Sequence, residues 1–195
     1  GKVIHRLNEL SLAQQQGRSV ADVLNDLPSL HVDGIFSSPG TNVSYYVRGA
    51  RNRQTLVLID GIPMSDPTGI DLFFDLRFLP MEQFQSVEVF QGGLSTLYGS
   101  GAAAGIINLH RRSLDKDGVH GQAGVSYGSW NTLGQHVSLS GKQNKFSIQV
   151  SGSNTNSDGF SSALDEFGTQ NFDKDGFSRR NVDFSTQYEL SQSWK

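Results

Sequence analysis

No cysteine occurs in this chain, so disulfides and thiolate metal sites are excluded. An excess of basic charge is also missing. The net charge is −3, and no basic footprint invites nucleic acid. Long apolar runs are missing too. The longest aliphatic stretch is Leu56–Ile59, far below the ~18 residues of a membrane helix. That absence does not exclude a membrane, because strands of a membrane barrel are only half apolar. No secretory signal begins at Gly1, so an export signal is expected upstream or already removed. Catalytic patterns are lacking as well. The histidines at 5, 31, 110, 120 and 136 have no metal-ligand spacing, and neither His-Glu-x-x-His nor Gly-x-Ser-x-Gly occurs. The acidic pair Asp165-Glu166 lies in a polar stretch and reads as solvated charge. No enzyme is expected.

What the chain does have is alternation. From Val119, one face carries Val119, Gly121, Ala123, Val125 and Tyr127, and the other His120, Gln122, Gly124 and Ser126. Phe146, Ile148 and Val150 alternate with Ser147, Gln149 and Ser151. Val182, Phe184, Tyr188 and Leu190 alternate with Asp183, Ser185, Gln187 and Glu189. Strand side chains point to opposite faces with period two, so each segment has one apolar and one polar side. A lipid-facing barrel fits this pattern, and so does an ordinary sheet with one solvated face. Tight turns are expected at Gly128–Thr132 and Gly141–Lys145, and a long polar loop from Ser151 to Arg180. Short turns at one end and long loops at the other are a barrel habit. Trp130 and Trp194 sit at strand ends, where interfacial aromatics belong.

The first part has a different grammar. Ser19–Leu27 reads as a capped helix, with Ser19 and Asp22 forming a capping box and Pro28 ending it. Tyr45–Arg48, Leu56–Ile59, Val87–Phe90 and Ile106–His110 read as strands. Pro80 starts a single helical turn, and Pro63 and Pro67 keep Ile62–Gly69 irregular. The glycine-rich run Gly99–Gly105 leaves no room for the crossover helix of a dinucleotide site, so close backbone packing is its expected role. A boundary is expected at 112/113, where the polar bridge Ser113–Gly118 begins.

Several motifs in order give the chain a family resemblance. Ser19-Val20-Ala21-Asp22-Val23-Leu24, Val47-Arg48-Gly49, Leu56-Val57-Leu58-Ile59-Asp60-Gly61, Val87-Glu88-Val89, Leu97-Tyr98-Gly99-Ser100 and Gly105-Ile106-Ile107-Asn108 together resemble the TonB-dependent outer-membrane transporters. The resemblance implies an α+β plug domain over 1–112, a small mixed sheet with short helices. It further implies, over 113–195, antiparallel strands of an incomplete transmembrane β-barrel, the first four or so of a barrel of about 22 strands. It implies uptake of a scarce large nutrient, cobalamin or an iron–siderophore, across the outer membrane of a Gram-negative cell. The implied partners are TonB with its inner-membrane energising complex, the nutrient chelate and outer-membrane lipid, with no nucleic acid. The segment that couples energy would lie before residue 1.

Candidate plug residues for substrate are Asn42, Arg51, Asn52, Met64, Asp66 and Phe73, all on irregular tips. Asp158-Gly159 and Asp173-Lys174-Asp175-Gly176-Phe177 resemble the calcium-binding loop of cobalamin-transporting members, which makes Asp158, Asp173 and Asp175 candidate calcium ligands. No other cofactor is expected. One departure stands out: Gln91-Gly92-Gly93 replaces the family's Arg-Gly-Pro, which removes an arginine available for a plug–barrel ion pair and is expected to loosen the turn. The opposing reading is a soluble or surface-exposed carbohydrate-binding module, or an adhesin, that performs no transport.

Overall fold

The computed structural model describes residues 3–15, 18–35, 37, 43–65, 74–79, 81–114, 117–161, 163 and 172–190. It divides into two compact units, one comprising Gly1–Phe36 with Asn42–Arg112 and the other Ser37–Thr41 with Ser113–Lys195.

The first unit runs β1 (Val3–Leu7), α1 (Glu9–Ala13), α2 (Val20–Asn25), β2 (Leu30–Asp33), β3 (Ser44–Val47), β4 (Thr55–Ile59), β5 (Ile62–Met64), β6 (Phe84–Gln91), α3 (Ser95–Tyr98) and β7 (Gly105–Arg111). Five strands form one sheet in the order β1-β6-β7-β4-β5, in which only the β4–β7 pair is parallel. β2 and β3 form a separate antiparallel ribbon. Pattern explains the packing. One sheet face presents Val57, Ile59, Val87, Val89, Ile107 and Leu109 to Val20, Val23 and Leu24 of α2 and to the inward face of the ribbon. The other face carries a smaller cluster of Leu58, Leu94, Ala102 and Ile106. Beside it lies a polar patch, where the Glu88 carboxylate meets both Arg6 (3.3 Å) and His110 (3.2 Å).

The helix at 20–25 starts as its sequence requires. The Asp22 N–H donates to Ser19 Oγ (3.2 Å), and the Ser19 N–H donates to Asp22 Oδ2 (2.8 Å). Asn25 then turns its Oδ1 back to accept from the Val32 N–H (2.9 Å), which ties the helix to β2. Pro63 does not keep its segment irregular. It lies in β5, an edge strand, where a residue without an N–H is tolerated. Pro67 and the rest of that stretch lie outside the described residues. The Gln91 turn is not loose. Gln91 is buried, its amide donates to the Pro28 carbonyl (2.9 Å), and Gly92 N–H and Leu94 N–H donate to Ala104 and Ala102 carbonyls (2.9 and 3.0 Å). Gly105 is required by close approach, since a Cβ there would lie 2.5 Å from the Phe90 carbonyl oxygen. Asp75 and Arg77 form a largely buried ion pair (2.9 Å). Burial drives the pKa of the nearby Tyr45 phenol well above its ordinary value, and the charge of Asp75 adds to the effect.

The second unit is a single antiparallel sheet in the order β11-β10-β9-β8. Its strands are β8 (Gly118–Gly128), β9 (Thr132–Gln143), β10 (Phe146–Ser157) and β11 (Phe177–Tyr188). The expected loop from Ser151 to Arg180 is much shorter: β10 continues to Ser157 and β11 begins at Phe177. Likewise β9 runs on to Gln143, leaving only Asn144 and Lys145 as the turn. Among the described residues no helix is long and apolar enough to cross a membrane, a fact that does not bear on strands.

Candidate functional site

Two surfaces carry chemistry, one on each unit. On the sheet, the apolar residues form one exposed face. Val119, Val125, Tyr127, Val137, Leu139, Phe146, Ile148, Val150, Val182, Phe184 and Tyr188 are all exposed, Val182 to 83% and Val119 to 76%. A soluble sheet would cover such a face. The opposite face holds no large apolar side chain between its ends. Its rows read His120–Ser140–Gln149–Ser185 and Gln122–Ser138–Ser151–Asp183. At one end of it Lys142 pairs with Glu189 (3.0 Å).

Register adds a second observation. On β8 the apolar positions run from Val119 to Tyr127, and along β11 and just past its end they run from Val182 to Leu190. Following the pairs across the sheet, Tyr127 stands level with Leu133, Asn156 and Ser178, four residues before Val182. The apolar band therefore slants. Four residues at about 3.3 Å each, across three inter-strand steps of about 4.8 Å, give a slope of about 40°. Barrel strands in an outer membrane tilt by roughly 35–45°. A level slab of hydrocarbon across strands tilted in that range would trace this band.

The turn between β8 and β9 and the connection from β10 to β11 leave from the same end of the sheet. The Asp158 N–H donates to the Trp130 carbonyl (2.9 Å), and the Trp130 and Phe160 rings lie 4.9 Å apart. Trp194 lies outside the described residues. Gly159 has φ +65°, and a Cβ there would collide with the Asp175 carbonyl. This pins the two ends of the connection against each other. Asp158, Asp173 and Asp175 are all exposed, and no group of three metal-ligating side chains gathers among the described residues.

On the first unit, the chain order puts irregular segments at one end of the sheet. β4 leaves the Gly49–Gln54 turn, and β5 returns antiparallel to it, so Met64 comes back beside Val57. The Ala104 N–H donates to the Gln54 carbonyl (2.8 Å), which holds the glycine-rich segment at that end too. Arg51 is exposed there, its N–H donating to Gln54 Oε1 (3.2 Å), and Asn52 opens the 3-10 turn Asn52–Gln54. Met64 is half-buried and packs against the main core. Asn42, Asp66 and Phe73 lie outside the described residues. So Arg51, Asn52 and Met64 share an end, while Asp158, Asp173 and Asp175 belong to the other unit.

Residues 3–106 match the TonB-dependent Receptor Plug Domain family. The chain belongs to the TonB-dependent receptors. A curated relative, the vitamin B12 transporter BtuB of Photobacterium profundum, is 28% identical over 184 residues, covering 92% of this chain and 28% of that protein. The enterobactin-bound ferric enterobactin receptor PfeA of Pseudomonas aeruginosa superposes with a TM-score of 0.71 at 20% identity, covering 98% of this chain and 31% of that one. The siderophore receptor PirA of the same organism does so at 0.71 and 20%, covering 97% and 31%. The chain thus spans less than a third of the length of these relatives. The first unit is the plug of a TonB-dependent receptor, and the second matches the start of its barrel.

Sequence reasoning missed the polar ends of the barrel strands. Asn154, Asn156, Ser178 and Arg180 break the apolar alternation and so read as loop. They are in strands, and the apolar pattern stops there because the band ends. The signal that could have found them was the even spacing of Ser, Asn and Thr from Ser151 to Ser157.

Proposed function

We propose that this chain is the leading part of an outer-membrane transporter that takes up a scarce, bulky nutrient with energy supplied through TonB. The slanted apolar band carries the reading. Its slope supports a sheet that faces lipid on one side and a polar lumen on the other. β8 and β11 then need partner strands, because unpaired strand edges are not tolerated in lipid. A barrel of about 22 strands would leave an open lumen, which is the need a plug domain answers. Substrate meets the plug at the end that carries Arg51, Asn52 and Met64, and Asn42, Asp66 and Phe73 remain candidates from the sequence.

A corrinoid such as cobalamin is the first substrate to test and a ferric siderophore the second. The curated relative named above supports the first, and the similar solved receptors share only the fold. The experiment is uptake of labelled cobalamin and ferric siderophores by cells that carry the complete reading frame, with and without TonB. Accumulation of one of them that depends on TonB is expected. Equal uptake of every ligand in both strains, or none in either, would overturn the proposal.

A further inference from the structure

One nitrogen in the plug is claimed by two groups that need opposite things of it. On the sheet face that carries the polar patch, His110 Nε2 lies 3.1 Å from the Asn108 amide nitrogen and 3.2 Å from Glu88 Oε2. The Asn108 amide is oriented from its other side. The Gly61 N–H can only donate, so the atom it meets at 3.3 Å is Asn108 Oδ1. The amide NH2 therefore faces the imidazole, where it needs a lone pair. An ionised Glu88 carboxylate only accepts, so it needs a proton on that same nitrogen. Nε2 offers one or the other. Two structural ties meet at this atom. Asn108 holds the Asp60-Gly61 turn between β4 and β5, where both residues have positive φ (51° and 81°). Glu88 holds edge strand β1 through Arg6, whose Nε lies 3.3 Å from Glu88 Oε1. His110, Asn108 and Glu88 are all half-buried, so water replaces a lost partner only in part.

We propose that His110 is a proton-operated switch between these two ties. Histidine is the side chain that changes charge between about pH 5 and pH 8. In the neutral ring the proton sits on Nδ1, because Glu88 already has Arg6, whereas the Asn108 NH2 has no other acceptor among the described residues. Nε2 then accepts from Asn108 and the turn is held. When Nε2 takes a proton from solvent, the ring donates to Glu88, and the carboxylate is gripped from β7 as well as from β1. Asn108 now faces an N–H with its own NH2. The amide relieves that clash by turning, which takes Oδ1 away from Gly61. The other charged groups around the site are already engaged. Asp60 accepts from the Arg111 N–H (2.9 Å) and lies 3.8 Å from its guanidinium, and Arg112 pairs with Glu9 (2.7 Å). His5 belongs to the opposite face of β1 from Arg6. One proton thus tightens β1 at one edge of the sheet and frees the turn into β5 at the other. The switch belongs to the plug sheet alone and is independent of the nutrient.

The test uses the polypeptide of the complete reading frame, folded in detergent micelles. Hydrogen exchange is followed by mass spectrometry at about pH 8 and about pH 5, and corrected for the pH dependence of exchange in unstructured peptides. From the higher to the lower pH, exchange in the peptide that spans Gly61 is expected to speed up about fivefold, the worth of one hydrogen bond, and exchange in β1 to slow by a similar factor. His110→Gln, which cannot gain a proton, should show neither change, and His110→Leu is a second check that brings no new hydrogen bond. Asn108→Leu should abolish the response of the turn and leave that of β1. A native protein in which either segment fails to respond, or in which both move the same way, overturns the switch. A response of native size in both His110 variants also overturns it.

Discussion

The plug and the barrel strands solve the same problem in opposite ways. Both parts place apolar residues on one face of a strand. In the plug, that face is covered by α2 and the β2–β3 ribbon, and Val89, Ile107 and Leu109 are fully buried. In the barrel strands, Val119, Val182 and Phe184 stay largely exposed. Burial stabilises the plug from within, at roughly 25 cal/mol per Å² of apolar surface. The barrel strands gain little of that term from their own residues. On the proposed function, their stability comes from a medium that is itself apolar. One alternating pattern therefore marks a core when something covers it, and a membrane surface when nothing does.

Substitutions can break this contrast. Phe84→Ala has the largest expected effect, because Phe84 is among the largest fully buried side chains. It should cost the plug about 3–5 kcal/mol and lower the denaturant midpoint of the plug transition. Val150→Lys, on the exposed apolar face, should cost about 2–4 kcal/mol in lipid and reduce the folded, heat-modifiable fraction on gels. Gln149→Lys, one residue away on the polar face, should cost little in the same assay. Equal costs at 149 and 150 would erase the distinction between the faces. Ser19→Ala removes a helix cap and should cost the plug about 1 kcal/mol, read from the same denaturant midpoint.

Alkaline pH sharpens the contrast further. The Tyr45 phenol resists ionising in the folded plug, whereas in the unfolded chain it ionises near about pH 10. Above that pH the unfolded state holds fewer protons than the folded one, so stability falls as pH rises. Tyr45→Phe should flatten that fall in urea melts taken between pH 9 and 11. An unchanged slope would mean that burial does not hold the phenol protonated.

Much of the plug was legible because its signals are local. The Ser19–Asp22 capping box, the strand at Leu56–Ile59 and the glycine demanded at 105 each declare themselves within a few residues. The strands Val3–Leu7 and Leu30–Asp33 were not legible. They are short, and tertiary pairing with β6 and β3 creates them rather than any run of their own. Ile62–Met64 was hidden by Pro63, which reads as a breaker until the strand is known to lie at an edge. In the barrel, alternation found the strands but not their ends, because polar residues on both faces look like loop. Of the candidate site, Arg51, Asn52 and Met64 were brought to one end of the plug, a placement set by the pairing of β4 with β5 and invisible in spacing alone. The aspartates at 158, 173 and 175 looked gathered in sequence. In space all three side chains are exposed, on the two ends of the connection between β10 and β11.

These 195 residues contain no cysteine, so labels can be introduced into them one at a time once any cysteine elsewhere in the complete polypeptide has been replaced. Single cysteines are placed in turn from 182 to 188 in the complete polypeptide, folded in membranes, and treated with a water-soluble or a lipid-soluble maleimide. The account predicts a two-residue rhythm: 183, 185 and 187 react with the aqueous reagent, and 182, 184, 186 and 188 only with the lipid-soluble one. Uniform reaction of all seven with the aqueous reagent would contradict it, because the apolar face would then be lying in water.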